Sequence, residues 1–510
     1  MKLRILLSGF LMLGITTSWS QTIALDPSFD GDGIVTTDIN KLNDASKAIA
    51  LQVDGKIVAT GYSTKNNKNE FCTIRYNVDG SIDKSFGNNG IVATAFPGNG
   101  SSLANAIAIQ DNGKIIVAGN AEGMAIARYN TDGSLDGNFG NGGMVLTNNP
   151  NSTAIANSIL LQPDGKIIVG GHYQNTPPDG YAYILARYNS NGSLDATFGN
   201  GGISIIDIAA GQGLGALDFL RKIVLQPNGK IIAVGVSGPN ATLVRLESNG
   251  DTDSLFGING IVTTNYSTSG NSIFNDVMIQ PDGKIVAAGS TTAAVPNFLV
   301  ARFNANGQPD INFGNNGAVT IGHSTMQNYA TSVLLQPDGK ILAGGVINDN
   351  GLFQFAIARY NSDGSVNSTF GTNGVLKTKA DKSYSAIESM IMQQDNKIVV
   401  AGSNNADFLL ARYTTDFPNN IRDHQTIKTM LYPNPTTNAV TLSYRLPSPN
   451  KVDIMLYTID GRLLKVLNKG KSMAAGHQHL SFDIGDLPIG SYIIHINTGN
   501  SFSNTKLIKE

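Results

Sequence analysis

The chain has 510 residues and is almost neutral, with 36 Lys and Arg set against 38 Asp and Glu. That balance gives no basic patch on which nucleic acid binding could rest. One cysteine, Cys72, excludes an intrachain disulfide, and no stretch after the N-terminus approaches the roughly 18 apolar residues of a membrane-spanning helix.

In chain order, residues 1–20 read as a secretory signal peptide. Lys2 and Arg4 precede an apolar run from Ile5 to Ile15, small residues follow at Ser18 and Ser20, and cleavage is expected between Ser20 and Gln21. The single tryptophan, Trp19, would leave with that segment. A secreted chain without disulfides must be held by its core.

From residue 21 to residue 413 one unit of about 55 residues recurs seven times. Each copy carries an Asp/Asn-Gly-Lys turn before an apolar strand, with its lysine at Lys56, Lys114, Lys166, Lys230, Lys284, Lys340 and, in a worn copy, Lys397. A Phe-Gly element has its Phe at Phe29, Phe86, Phe139, Phe198, Phe256, Phe313 and Phe370. An arginine, usually before an aromatic residue, falls at Arg75, Arg128, Arg187, Arg245, Arg302, Arg359 and Arg412. Four strands per copy follow from apolar runs bounded by Gly, Asn and Asp; in the second copy they are Ala104–Gln110, Lys114–Gly119, Met124–Asn130 and Gly143–Leu146. The chain enters the pattern at the Phe-Gly element and leaves it after the arginine strand, so each end holds what the other lacks. The expected fold is all-β: a seven-bladed propeller in which strand Gly33–Thr37 completes the sheet carrying Lys397 and Arg412.

Two expectations concern the recurrent charges. The arginines sit within apolar strands and need partners; Asp26, Asp83, Asp136, Asp195, Asp253 and Asp310, with Asn367 in their place once, are the expected braces. The lysines follow turns, where a solvated side chain suffices, and a ring binding an anion is the alternative. Segments such as Asn130–Asp136 suit a turn better than a calcium loop, since Arg128 would occupy the first ligand position.

Residues 414–429 read as a polar linker, and 430–510 as a small β-sandwich with strands near Ala439–Arg445, Lys451–Thr458, Arg462–Asn468, His479–Ile484 and Ser491–Asn497. The block Leu135-Asp136-x-x-Phe139-Gly140, with Gln162-Pro-Asp-Gly-Lys166 and Ala186-Arg187-Tyr188-Asn189, resembles the delta-60 repeat of bacterial secreted proteins, which implies a propeller-like fold and no common activity. Tyr432-Pro433-Asn434-Pro435, Asp460-Gly461-Arg462, Gly490-x-Tyr492 and terminal Lys506-Leu507 resemble the type A sorting domain of the Bacteroidetes type IX secretion system. That resemblance implies export by the signal peptide, handling of residues 430–510 by the type IX machinery, and release or outer-membrane anchoring at the extracellular surface.

For function, the alternating short turns place Asp-Gly-Lys and Asn-x-Asp-Gly on one face of the ring and the variable loops on the other, where binding surfaces are usually built. The two longest insertions, His172–Tyr183 and Ile208–Arg221, supply the ligand candidates His172, Tyr173, Asp179, Tyr181, Tyr183, Asp218 and Phe219. A surface protein or polysaccharide is the expected ligand. No His/Cys cluster has zinc spacing and no Gly-rich sequence opens a helix for phosphate, so neither metal nor cofactor is expected and no catalytic residue is assigned. A secreted hydrolase or lyase acting at the variable face stays as the alternative to a binding scaffold.

Overall fold

The computed structural model describes residues 23–39, 41–98, 100–147, 154–174, 180–209, 217–292, 296–322, 328–349, 351–380, 384–404, 406–414, 429–446, 449–458, 463–498 and 502–510. The expected cleavage site at Ser20 and Gln21 lies outside them. The chain divides into two compact units, Met1–Asp416 and Phe417–Glu510.

The first unit holds seven four-stranded antiparallel sheets and, among the described residues, no helix. In the second copy the strands are Leu103–Ile109, Ile115–Asn120, Met124–Tyr129 and Met144–Thr147, each within a residue or two of its expected bounds. Every sheet packs against the next, and the seventh packs against the first. The ring is closed by the chain's own N-terminus. Ile34–Thr37 pairs with Phe408–Tyr413 in the register Ile34↔Ala411 to Thr37↔Phe408, and Arg412 N–H donates to Gly33 O at 2.9 Å. Such closure pairs the otherwise open edge of Phe408–Tyr413 and limits the strand edges left exposed.

Because each sheet is covered on both faces, its middle strands are continuously buried, as Ile167–Tyr173 shows. The hydrophobic core is accordingly divided into seven interlayers, one per pair of neighbouring blades. Phe298, Val300, Phe313, Ile341, Ala343 and Tyr360 fill the one between the fifth and sixth.

Each innermost strand carries a β-bulge, and each bulge faces a glycine five residues after the repeat lysine. At Gly61, Gly119, Gly171, Gly235, Gly289, Gly345 and Gly402 a Cβ would stand 1.8–2.0 Å from the carbonyl oxygen of the bulged strand. Only glycine allows the two backbones to approach so closely.

The second unit has a three-stranded sheet (Thr429–Tyr432, Ala439–Leu446, Gly476–Asp483) and a four-stranded one (Leu463–Met473, Asn450–Thr458, Gly490–Asn497, Phe502–Lys509). Val440, Leu442 and Tyr444 from the first sheet join Val452, Ile454, Leu456, Ile494 and Ile496 from the second in one core. The sandwich therefore has seven strands where five were expected. Thr429–Tyr432 and Phe502–Lys509 were missed because they are short or polar edge strands; of Ser503 to Lys509, Leu507 alone is a fully buried apolar residue.

Candidate functional site

The recurrent motifs form one interblade clasp on the short-turn face. In the third blade, Arg187 Nε donates to Asp195 Oδ2 at 2.7 Å, Lys166 Nζ approaches the same oxygen at 2.9 Å, and Arg187 Nη2 reaches Thr197 Oγ1 at 3.0 Å. The guanidinium lies 4.7 Å from the centroid of the Phe198 ring, and its Nη1 donates to Ser248 O in the fourth blade. Gly199 N–H donates to Asn249 O across the same junction. Gly250, at φ 93°, faces the Phe198 ring where any Cβ would lie 3.0 Å from it. The last such link runs from Arg412 to Val78 O, joining the seventh blade to the first.

The arginine–aspartate brace is thus present as expected, whereas the lysines depart from both readings offered for them. They are neither free in solvent nor a ring for an anion, because in six copies Nζ is the second cation on the buried aspartate, at 2.7–3.2 Å. In the sixth copy Asn367 replaces the aspartate, and Lys340 turns back to Asp338. Burial alone would raise these carboxyls. At Asp253 the hydrogen bonds from Lys230, Leu255 N–H and Arg245 outweigh it and hold the group at about 2; at Asp26 those from Ser28 and Lys397 do the same. The Asn130–Asp136 segment behaves as a turn, with Asp132 capping Ser134 and Asp136 claimed by Lys114 and Arg128.

On the variable face the structure brings together His172, Tyr181 and Phe219. Their ring centroids are 4.6 Å (His172–Phe219), 4.8 Å (Tyr181–Phe219) and 6.0 Å (His172–Tyr181) apart. His172 Nδ1 accepts from the Asn157 amide at 3.0 Å, and burial together with the Arg221 charge lowers its pKa to about 4, so the ring is neutral at pH 7. Three other candidates are structural. Tyr173 packs between the second and third blades, and Tyr183 is fully buried between the third and fourth. Asp218, also fully buried, accepts the N–H groups of Ile208 and Ala209 at 2.8 and 3.1 Å. Asp179 lies outside the described residues. The insertions were read too long: the second strand continues to Gln174, the third begins at Tyr181, and the next inner strand begins at Asp218.

Sequence reasoning missed two further features at this end of the ring. Tyr329, hydrogen-bonded to Tyr384, forms a second aromatic group with Phe353, whose ring centroid is 5.2 Å from that of Tyr384. Below the mouth, a polar channel of about 280 Å³ is lined by inner-strand residues from all seven blades. Its girdle consists of the seven bulge residues Lys47, Asn105, Asn157, Arg221, Asn275, Thr331 and Glu388. Asn105, Asn157, Asn275 and Thr331 each donate to the carbonyl preceding the next bulge (Ala156, Leu220, Ala330 and Ile387), and Lys47 pairs with Glu388 at 2.8 Å. The legible signal was the glycine five residues past every lysine, which marks a strand that another backbone must approach.

One carboxylate set among the described residues has spacing that suits a metal ion: Asp38, Asp44 and Asp407, whose nearest oxygens lie within 4.8 Å of one another. Burial first, and then the charges of Asp38 and Asp407, push Asp44 up to about 6. Its oxygens already accept the N–H groups of Ile39 and Thr64, which makes it a loop brace like Asp218.

In the second unit the sorting-motif residues hold the terminal strand. Asn434 donates to Lys506 O and accepts from Ile508 N–H, both at 2.8 Å, while Tyr492 donates to Pro488 O at 2.7 Å. Pro433 and Pro435 flank Asn434 with cis peptide bonds, Gly490 opens the strand that carries Tyr492, and Leu507 is buried. Asp460, Gly461 and Arg462 lie outside the described residues.

Residues 430–510 match the family described as the secretion system C-terminal sorting domain. Seven segments, 52–86, 110–139, 162–198, 226–256, 280–313, 336–370 and 393–416, match the "Domain of unknown function (DUF5122) beta-propeller". No curated protein matches the chain. Among solved structures, a catalytically inactive virginiamycin B lyase from Staphylococcus aureus with quinupristin is similar at 12% identity and a TM-score of 0.44, over 75% of this chain and 99% of that one. Sqt1 from Chaetomium thermophilum gives 12% and 0.40, over 75% and 100%. An ulvan lyase of polysaccharide lyase family PL25 gives 11% and 0.43, over 75% and 96%.

Proposed function

Since the chain is a DUF5122 beta-propeller joined to a secretion-system C-terminal sorting domain, and so a secreted or cell-surface-attached protein, we propose that it binds a polysaccharide at its variable-loop face. In this reading residues 1–20 direct export, residues 430–510 engage the type IX secretion machinery, and the ring is the working part. The observation that carries the reading is the pair of aromatic groups, His172/Tyr181/Phe219 and Tyr329/Phe353/Tyr384, on the variable face of a ring whose channel is lined with amides and hydroxyls. Aromatic faces stack on sugar rings while tyrosine hydroxyls meet sugar hydroxyls, and an amide-lined cleft fixes orientation.

The test is a glycan-array screen of the full-length chain, followed by titration of each hit. Saturable binding that Tyr181→Ala and Tyr384→Ala each weaken about tenfold, at unchanged melting temperature, supports the reading. No glycan bound, or binding indifferent to both changes, overturns it. Product formation during the titration would place a hydrolase or lyase at the same mouth instead.

A further inference from the structure

We infer that the channel beneath the mouth is a subsite for an acidic sugar, a carboxylate-bearing polyol held by Arg221 within the bulge girdle. The inference rests on the saccharide reading above and names the residue that the polymer must carry.

The girdle has a rule and one exception. Four bulge side chains lock to the following blade through a backbone carbonyl, and two lock to each other as the Lys47–Glu388 pair. Arg221, the seventh, makes no hydrogen bond or ion pair among the described residues. Its guanidinium stands 5.8 Å from the centroid of Phe219, which belongs to the first aromatic group. Lys222, its neighbour on the strand, is only 3.8 Å from Asp276, and Glu388 is already engaged by Lys47. The channel therefore presents a guanidinium that no carboxylate among the described residues claims.

An arginine fork in that setting suits a carboxylate, which it can hold through two parallel N–H···O bonds. The rest of the girdle decides what the carboxylate is attached to. Asn105 and Asn275 each spend one amide N–H on Ala156 O and Ala330 O, and among the described residues no donor reaches their Oδ1 acceptors. Acceptors around a cation call for a ligand with hydroxyl donors around an anion. A volume of about 280 Å³ falls just below the range of drug-sized sites, roughly 300–1,000 Å³, and so suits a single sugar residue. A sulfate or acetate ion would satisfy Arg221 and leave the acceptors unmet; a neutral sugar would do the reverse.

The full-length chain is titrated by calorimetry with glucuronate, glucose, acetate and sulfate at one ionic strength, alongside the glycan screen. Glucuronate is expected to saturate one site, with glucose, acetate and sulfate each about tenfold weaker or worse. Arg221→Gln should weaken glucuronate about tenfold or more, and Arg221→Lys should restore part of the loss by keeping charge without the fork. Tyr181→Ala should change monosaccharide binding less than polymer binding. Neutral glycans bound at the mouth with no response to glucuronate would overturn the acidic subsite and leave the saccharide reading standing. Silence from every glycan would sink both. Acetate or sulfate matching glucuronate, or glucuronate binding unchanged in Arg221→Gln, also overturns the inference, and the wild-type titration decides even where that variant fails to fold.

Discussion

Replacing Arg187 by alanine in the third blade and Arg359 by alanine in the sixth should cost very different amounts, although the two residues occupy the same place in the repeat. Arg187 and Arg359 are 6% and 3% exposed, and both stack on a phenylalanine, at 4.7 and 4.5 Å from the centroid. The difference lies in what is left behind. Arg187→Ala strands the Asp195 carboxylate, 5% exposed, with Lys166 as its remaining cation. Breaking a buried pair from one side costs about 3–5 kcal/mol, and the lost cation–π contact and interblade hydrogen bond add about 1 kcal/mol each, partly offset by Lys166. Arg359→Ala leaves a neutral Asn367 and gives up the cation–π contact with Phe370 and the hydrogen bond to Asn367, about 2 kcal/mol in all. Urea unfolding followed by circular dichroism should therefore separate the two variants by about 2 kcal/mol or more, and Lys166→Met added to Arg187→Ala should widen the gap. Equal losses in the two blades would refute the view that the clasp works by neutralising a buried carboxylate.

The clasp aspartates also predict acid sensitivity. Their folded pKa values lie below the unfolded value, so their stabilisation is present above about pH 4 and is lost as pH falls through the folded values, with Asp26 and Asp253 contributing about 2 kcal/mol each. Asp253→Asn should flatten the fall in melting temperature between pH 4 and pH 2; an unchanged slope would contradict this. His172 titrates in a separate window, with a lowered folded pKa of about 4 against roughly 6.5 unfolded, so the neutral ring favours the fold at high pH and about 2 kcal/mol is lost between pH 7.5 and pH 5. In His172→Gln that loss should shrink, as read from melting curves across the window. Gly171→Ala drives a Cβ to 1.8 Å from Ile155 O and should cost about 3 kcal/mol or more, whereas Gly201→Ala, at φ 62° with nothing within 4 Å, should cost about 1 kcal/mol. Similar expression and melting of the two alanine variants would argue against the bulge.

The ring was legible because the two chain ends hold complementary parts of one repeat, Phe29 at the start and Arg412 at the end, and sheets cannot leave such parts unpaired. The brace was legible because an arginine between apolar residues needs an anion. The lysine's role was hidden, since nothing local says whether a side chain after a turn folds back onto a residue 29 positions away, as Lys166 does onto Asp195. The channel girdle was hidden for a different reason. Strands covered on both faces have no inward–outward alternation, so the extra residue at Asn105 or Arg221 breaks no visible pattern. Tyr173 and Tyr183 were mistaken for loop residues because long hairpin strands carry the sheet past the end of the repeat motif.

Ring closure is the claim on which the clasp, the channel and the two faces all depend, and a cross-link tests it directly. Thr36 and Leu409 are paired neighbours in the seventh blade, while Cys72 is buried in the first. Oxidising the Thr36→Cys/Leu409→Cys variant should give a near-quantitative disulfide, seen by peptide mass mapping as a bond between the chain's opening strand and its last propeller strand. Both thiols remaining free and readily alkylated in the folded protein would show that the N-terminal strand does not complete the seventh blade.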